Sequence, residues 1–322
     1  MINTDTTSRP ACHYYTWYKG PKELLQDDLD IFLNKVDYNK NKDQMRGMIV
    51  PHAGIMHSGS TAAWGFKNLI GTNFKRIFIL CPTHFVDFKG FALTKMLELE
   101  TPFCNLNVDK ELLNKLKKEG NKIFNEVFKN KYIEIEKEIF HDLDVEDDFY
   151  EHSMEMQLPF LGYIYQEKVD NVKIVPILLG NQNTLEEEQE FAKLLLEYYL
   201  DEDNFFIVSE DFCHWGDRYG FTYHDEKKYD KIYKSIEFLD YLAFDAIKKQ
   251  SAKEFKGYIN EWKNNLCGNA APVTIFCSLM ELAKKKGYNN VIELNNYKKC
   301  NEFIDNSEEY SVSYATLNNY KC

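Results

Sequence analysis

Three segments of this chain share one design: a buried apolar run ends in a polar turn that carries a histidine. Ile49-Val50 leads into Pro51-His52-Ala53-Gly54, and Ile79-Leu80 leads into Cys81-Pro82-Thr83-His84. Ile207-Val208 leads into Ser209-Glu210-Asp211-Phe212-Cys213-His214-Trp215. Neutral imidazole is the commonest protein ligand for first-row transition metals, and a strand end holds the ring in one orientation. Each histidine alone is equally well explained as a helix cap or a hydrogen-bonded core residue. Three together favour a shared site.

A fourth segment, Leu266-Cys267-Gly268-Asn269, could bring a thiolate to the same place, because Gly268 lets the backbone turn tightly. Thiolate with imidazole selects zinc, copper or iron over magnesium or calcium. Taken alone, Cys267 reads equally as a small buried hydrophobe. The run Glu151-His152-Ser153-Met154-Glu155-Met156-Gln157-Leu158-Pro159 concentrates further polar groups. Glu151 and His152 could line a crevice mouth, and Glu155 could serve as a ligand or base. A capped helix with a solvated acidic face explains Glu155 as well. Trp17, within the aromatic group Tyr14-Tyr15-Thr16-Trp17-Tyr18, could line a pocket or pack on a sheet edge. His57, His141 and His224 lack a strand-end context and read as surface or loop residues. Cys12, Cys104, Cys277, Cys300 and Cys322 have no partner at ligand spacing.

The elements that must position these groups are legible. Gly47-Met48-Ile49-Val50, Arg76-Ile77-Phe78-Ile79-Leu80, Lys173-Ile174-Val175-Pro176-Ile177-Leu178-Leu179 and Phe205-Phe206-Ile207-Val208 are continuous apolar runs, as expected of strands covered on both faces. Pro176 predicts an edge position or a bulge for its strand. Residues 24–36, 61–69, 110–118, 185–199, 228–247, 255–262 and 273–285 show helical periodicity. Strands alternating with helices predict an α/β fold with a central, mainly parallel sheet flanked by helices. In such sheets ligands bind outside the carboxyl ends of the strands, where the histidines fall. The polar stretch 121–148 has candidate site residues on both sides, so it reads as an excursion within one domain spanning residues 1–322.

Composition narrows the function classes. With 39 Lys plus Arg against 51 Asp plus Glu, the net charge is −12, which disfavours nucleic acid and anionic lipid as partners. Met1-Ile2-Asn3-Thr4-Asp5 lacks a secretory pattern, and no apolar run is long enough for membrane insertion. The expectation is a cytoplasmic protein, with the nucleus also open, whose eight scattered cysteines are mostly thiols.

Pro51-His52-Ala53-Gly54, Pro82-Thr83-His84, Glu151-His152-Ser153-Met154-Glu155-Met156, Ser209-Glu210-Asp211-Phe212-Cys213-His214-Trp215-Gly216 and Cys267-Gly268 occur in the order seen in the Memo family, which the chain resembles over nearly its whole length. Tyr233 to Asp240 and Ser311-Val312-Ser313-Tyr314-Ala315 add to the resemblance. It implies the fold of class III extradiol ring-cleaving dioxygenases. It also implies His52, His84 and Cys267 as ligands of copper or iron, His214 at the dioxygenases' acid/base position, and Asp211 beside it. The dioxygenases use two histidines and a carboxylate, whereas this motif offers Cys267. Two positions depart from Memo: the family's early His-Ala-Gly-Ser-Trp-Tyr is His13-Tyr14-Tyr15-Thr16-Trp17-Tyr18, and its paired histidines become His84-Phe85. Three functions stay open on this basis. They are a redox or signalling metal protein with a connection to cell motility, an active non-haem iron dioxygenase, and a non-catalytic module binding a signalling protein or tyrosine-containing (phosphotyrosine) peptide.

Overall fold

The computed structural model describes residues 7–37, 44–129 and 138–322. The opening pentapeptide and residues 130–137 of the polar excursion lie outside the described residues. The chain begins with strand β1 (Ser8–Arg9), helix α1 (Lys22–Asn34), strand β2 (Met45–Val50), helix α2 (Ile55–Phe66) and strand β3 (Arg76–Pro82). Short strands β4 (Phe91–Leu93), β5 (Glu98–Glu100) and β6 (Asn105–Asn107) precede helix α3 (Lys110–Phe128) and strand β7 (Phe140–Asp142). Helices α4 (Val145–Tyr150), α5 (His152–Glu155) and α6 (Leu158–Tyr165) lead to β8 (Lys173–Leu179), α7 (Leu185–Leu200), β9 (Asn204–Ser209) and β10 (His214–Trp215). Helices α8 (Ile232–Lys248), α9 (Ala252–Trp262) and α10 (Ala271–Lys285) and strands β11 (Asn290–Lys299) and β12 (Ser311–Lys321) complete it.

The main sheet of nine strands runs β10-β12-β2-β9-β3-β8-β4-β7, with β11 paired to β12. Its centre, β2-β9-β3-β8, is parallel. Antiparallel neighbours β12 and β4 flank that centre, so the sheet as a whole is mixed. Every residue of β2 and β9 is buried, because helices cover both faces. Gly47 faces Phe276 of α10, while Met48 and Val50 touch Gly65 of α2. Successive residues of one strand thus meet opposite layers, which is why the runs are continuous rather than alternating.

Pro176 departs from expectation. Strand β8 is neither an edge nor bulged against β3, where Pro176 stands opposite Ile79. On the other side β4 pairs only with Ile177, Leu178 and Leu179, and Val108 bridges to Ile174. Pro176 falls in the gap between these partners, where its missing N–H breaks no ladder bond. The polar excursion also returns to the sheet: β7 pairs with β4, and the Asn121 side chain bonds both N–H and C=O of Phe140 at 2.8 and 3.0 Å. His141 therefore lies half-buried in a strand rather than in a loop.

The N-terminal segment is fastened by a buried ion cluster. Arg9 pairs with Asp148 and Glu155, and its guanidinium also donates to the carbonyls of Asp148 and Glu151. Glu155 accepts further hydrogen bonds from His13 N at 2.8 Å and the Tyr18 hydroxyl at 2.9 Å. Burial pushes the Glu155 carboxyl up, but Arg9 and then His13 outweigh it and hold it at about 2, against an ordinary 4.5. At Asp148, with fewer donors, burial wins and the carboxyl is raised. Because the folded Glu155 value is depressed, its stabilisation is fully present above about pH 4.5 and is lost as pH falls towards 2. Glu155→Gln should cost on the order of 3 kcal/mol at pH 7 and flatten the acid limb of stability. Urea melts between pH 2 and 7 measure this, and parallel acid limbs in variant and wild type would refute it.

Candidate metal centre

The carboxyl ends of β2, β9 and β3 lie side by side, and their histidines arrive there with the same internal arrangement. The His52 ring places Nδ1 3.0 Å from Ser209 Oγ. That hydroxyl gives its own proton to the Ser153 carbonyl at 2.7 Å, so it accepts from His52 Nδ1–H. His84 donates Nδ1–H to Glu151 Oε1 at 2.8 Å, and His214 donates Nδ1–H to the Phe212 carbonyl at 2.9 Å. Each ring therefore keeps its lone pair on Nε2. His52 Nε2 is buried and has no hydrogen-bond partner among the described residues. His84 Nε2 faces Cys267 Sγ at 3.0 Å.

The backbone explains the convergence. Cys267 N donates to the Asp211 carbonyl at 3.2 Å and His214 N to the Asn265 carbonyl at 2.9 Å, which hangs the cysteine loop on the end of β9. Helix α5 is pinned to β3 by Ser153 Oγ bonding the Pro82 carbonyl at 2.9 Å. Gly268 adopts φ +70°, and a Cβ there would stand 2.7 Å from the Thr83 carbonyl and 3.1 Å from His84 Nε2. Only glycine fits both the conformation and the space.

Two groups of donors have their ligand atoms within 4.8 Å of one another: His52, His84 and His152, and His52, Asp211 and Cys267. The rings of His52 and His84 are 5.0 Å apart. Burial, then neighbouring imidazoles, push His52 well below the ordinary histidine range. Burial also lowers His152 to about 3 and His214 to about 4, so these rings are neutral at pH 7 with lone pairs available. Burial raises Asp211 to about 7 despite amide hydrogen bonds from His52 and Ala53. Cys267 is raised by burial and then by Asp211 and Glu210, which keeps it a thiol until a cation stands beside it.

Above these donors opens a cleft of about 690 Å³, whose lining includes Trp17, His152, Asp211, His214, Tyr219 and Cys267. His52 lies beneath the floor, fully buried. The structure thus brings His52, His84, Cys267, Asp211 and His152 together, with His214 and Trp17 on the cleft wall. Glu155 does not line the cleft and is no solvated face either: its side chain is 0% exposed and spent on Arg9. Sequence reasoning left His152 as a wall residue and missed Ser209 and Glu151 as orienting acceptors. A histidine directly after a glutamate in a polar run was the one available signal.

The model of the family described as Memo-like protein matches residues 9–318. The chain belongs to the Memo family. Among Memo relatives, Protein MEMO1 of Homo sapiens is 32% identical over 307 residues, covering 95% of this chain and 95% of that protein. Protein MEMO1 of Rattus norvegicus is 31% identical over 312 residues, covering 96% and 97% respectively. A MEMO1 family protein of Schizosaccharomyces pombe is 31% identical over 327 aligned positions, again 96% and 97%. No helix among the described residues of this Memo chain is long and apolar enough to cross a membrane.

Gly268→Ala in this Memo chain should lose about 1–2 kcal/mol from left-handed strain alone. Contact of the added methyl with Thr83 and His84 adds to that loss. Thermal melts read it as a clear drop in Tm, and an unchanged Tm would show that the loop relaxes freely.

Proposed function

We propose that this Memo-family chain is a single-domain metal protein that holds one copper or iron ion through His52, His84 and Cys267 and serves a redox or signalling role. The observation that carries the reading is the buried, unpartnered Nε2 of His52 beside the 3.0 Å contact of His84 Nε2 with Cys267 Sγ. A buried polar atom left without a partner costs free energy, and a cation at that point would satisfy the His52 Nε2 lone pair. The donor set of two neutral imidazoles and one sulfur suits copper or iron. When bound, such an ion would supply one-electron or Lewis-acid chemistry.

The chain's own residues do the rest. Ser209 and Glu151 fix the tautomers of His52 and His84, and partners of this kind strengthen ligand basicity. His214 presents a neutral Nε2 to the cleft, since its Nδ1 proton is held by the Phe212 carbonyl. That last feature favours a second reading, an iron-dependent oxidoreductase in which His214 Nε2 takes a proton from a bound substrate and Asp211 stands beside it. We rank it below the first because the donor set offers the Cys267 sulfur as third ligand, where the resemblance to ring-cleaving dioxygenases would lead one to expect a carboxylate.

Two measurements separate these readings. Cys267→Ser should lower copper(I) affinity in a chelator competition by more than the ten- to hundredfold that loss of an outer hydrogen-bond partner costs. The metal-free melts of variant and wild type should stay close. Affinity should also fall as pH drops, because ligands must be deprotonated. Equal copper(I) affinity in both proteins would reduce Cys267 to a structural cysteine. In the second measurement, the iron-loaded chain given a catechol should consume no oxygen. Turnover that disappears in His214→Ala while iron stays bound would promote the oxidoreductase reading instead.

A further inference from the structure

His152 has no role in the reading above, yet its environment is costly unless something is bound there. Its side chain is 8% exposed, and Nδ1 is buried without a hydrogen-bond partner among the described residues. The nearest acidic oxygen, Glu151 Oε1, is 3.6 Å away and already accepts from His84 Nδ1 and Ser153 N. The His152 ring lies 4.2 Å from that of His84 and 5.4 Å from that of His52. Donor atoms of the three rings fall within 4.8 Å of one another. The His52 ring, with its unpartnered Nε2, and the His152 ring, with its unpartnered Nδ1, thus both border the His84 ring. Bonds of about 2.0–2.1 Å from each ring to one ion require donor atoms within about 4 Å of one another, so the rings would close together as the ion enters.

We propose that His152 is a further metal ligand, completing with His52 and His84 an all-imidazole set that takes a borderline divalent ion, while Cys267 is the third ligand for a soft monovalent one. The inference deepens the metal-protein reading and rests on it. Imidazole suits nickel(II) and copper(II), whereas thiolate selects copper(I). His52 has one free nitrogen, because Nδ1 is spent on Ser209, so the two sets serve one ion at a time. Trp17 supplies a reporter: its ring lies 4.4 Å from that of His152 at an interplanar angle of 32°. A paramagnetic ion on His152 stands close enough to quench its fluorescence.

The test titrates the full-length chain with nickel(II), followed by tryptophan fluorescence and chelator competition, beside a copper(I) competition. Wild type should bind one nickel(II) per chain with quenching that Trp17→Phe largely removes. His152→Ala should lower nickel(II) affinity at least about tenfold and leave copper(I) affinity within about twofold, while Cys267→Ser should do the reverse. His152→Asn, which keeps a polar side chain, serves if the alanine variant folds poorly. Nickel(II) affinity untouched in either His152 variant, absence of nickel(II) binding, or two nickel(II) ions per chain would overturn the proposal. Copper(I) affinity untouched by Cys267→Ser would instead overturn the underlying metal assignment, whatever nickel(II) does.

Discussion

The carboxylate of Glu151 is the contact on which the site's geometry depends. It is almost wholly buried, and a buried charge persists only where donors surround it. One oxygen accepts from the His84 ring and from Ser153 N, and the other accepts from His84 N. Burial pushes this carboxyl up, yet the His84 hydrogen bond and the nearby imidazoles hold it at about 2. A single side chain thus fixes the His84 tautomer, the turn after β3 and the start of α5. Because α5 begins at His152, the same carboxylate also sets where that ring can stand.

The N-terminal segment follows from the neighbouring charge. Arg9 reaches under α4 and α5, bonding the carbonyls of Asp148 and Glu151 and the carboxylate of Glu155. Glu155 in turn takes His13 and Tyr18, which leaves Trp17 against His152 and its carbonyl accepting from Ile55 N at the start of α2. Two glutamates four residues apart therefore divide the labour. Glu151 orients a histidine at the strand ends, while Glu155 binds Arg9, His13 and Tyr18 and anchors the cover over the site. This placement is why the aromatic run borders the cleft rather than a sheet edge.

Much of this was legible in the sequence because it depends on local pattern. Four apolar runs became the four parallel strands, and the histidines after β2, β3 and β9 converge because parallel strands end together. Cys267-Gly268 was legible as a tight turn. The sheet's antiparallel margins were not, since strands such as β4 and β7 are three residues long and gain their identity from partners. Pro176 misled for a related reason: its tolerance is set by a gap between two neighbours that no local rule contains. The roles of Glu151 and Glu155 were indistinguishable in sequence, because which face of a one-turn helix meets Arg9 is decided by a residue some 140 positions away.

Low dielectric gives the donors their common character. Burial suppresses protonation of His52, His152 and His214, and pushes Asp211 and Cys267 towards their neutral forms. Glu210 sharpens the point: it is fully buried, neither carboxyl oxygen has a hydrogen-bond partner among the described residues, and its carboxyl is pushed well up by burial and then by Asp211. In such a medium one added cation acts on every group at once. It would favour the ionised forms of Asp211, Cys267 and Glu210 together, and would release protons as it entered. The same burial that makes these acids reluctant to ionise alone would couple charge, ligation and proton release at this rim if a cation bound there.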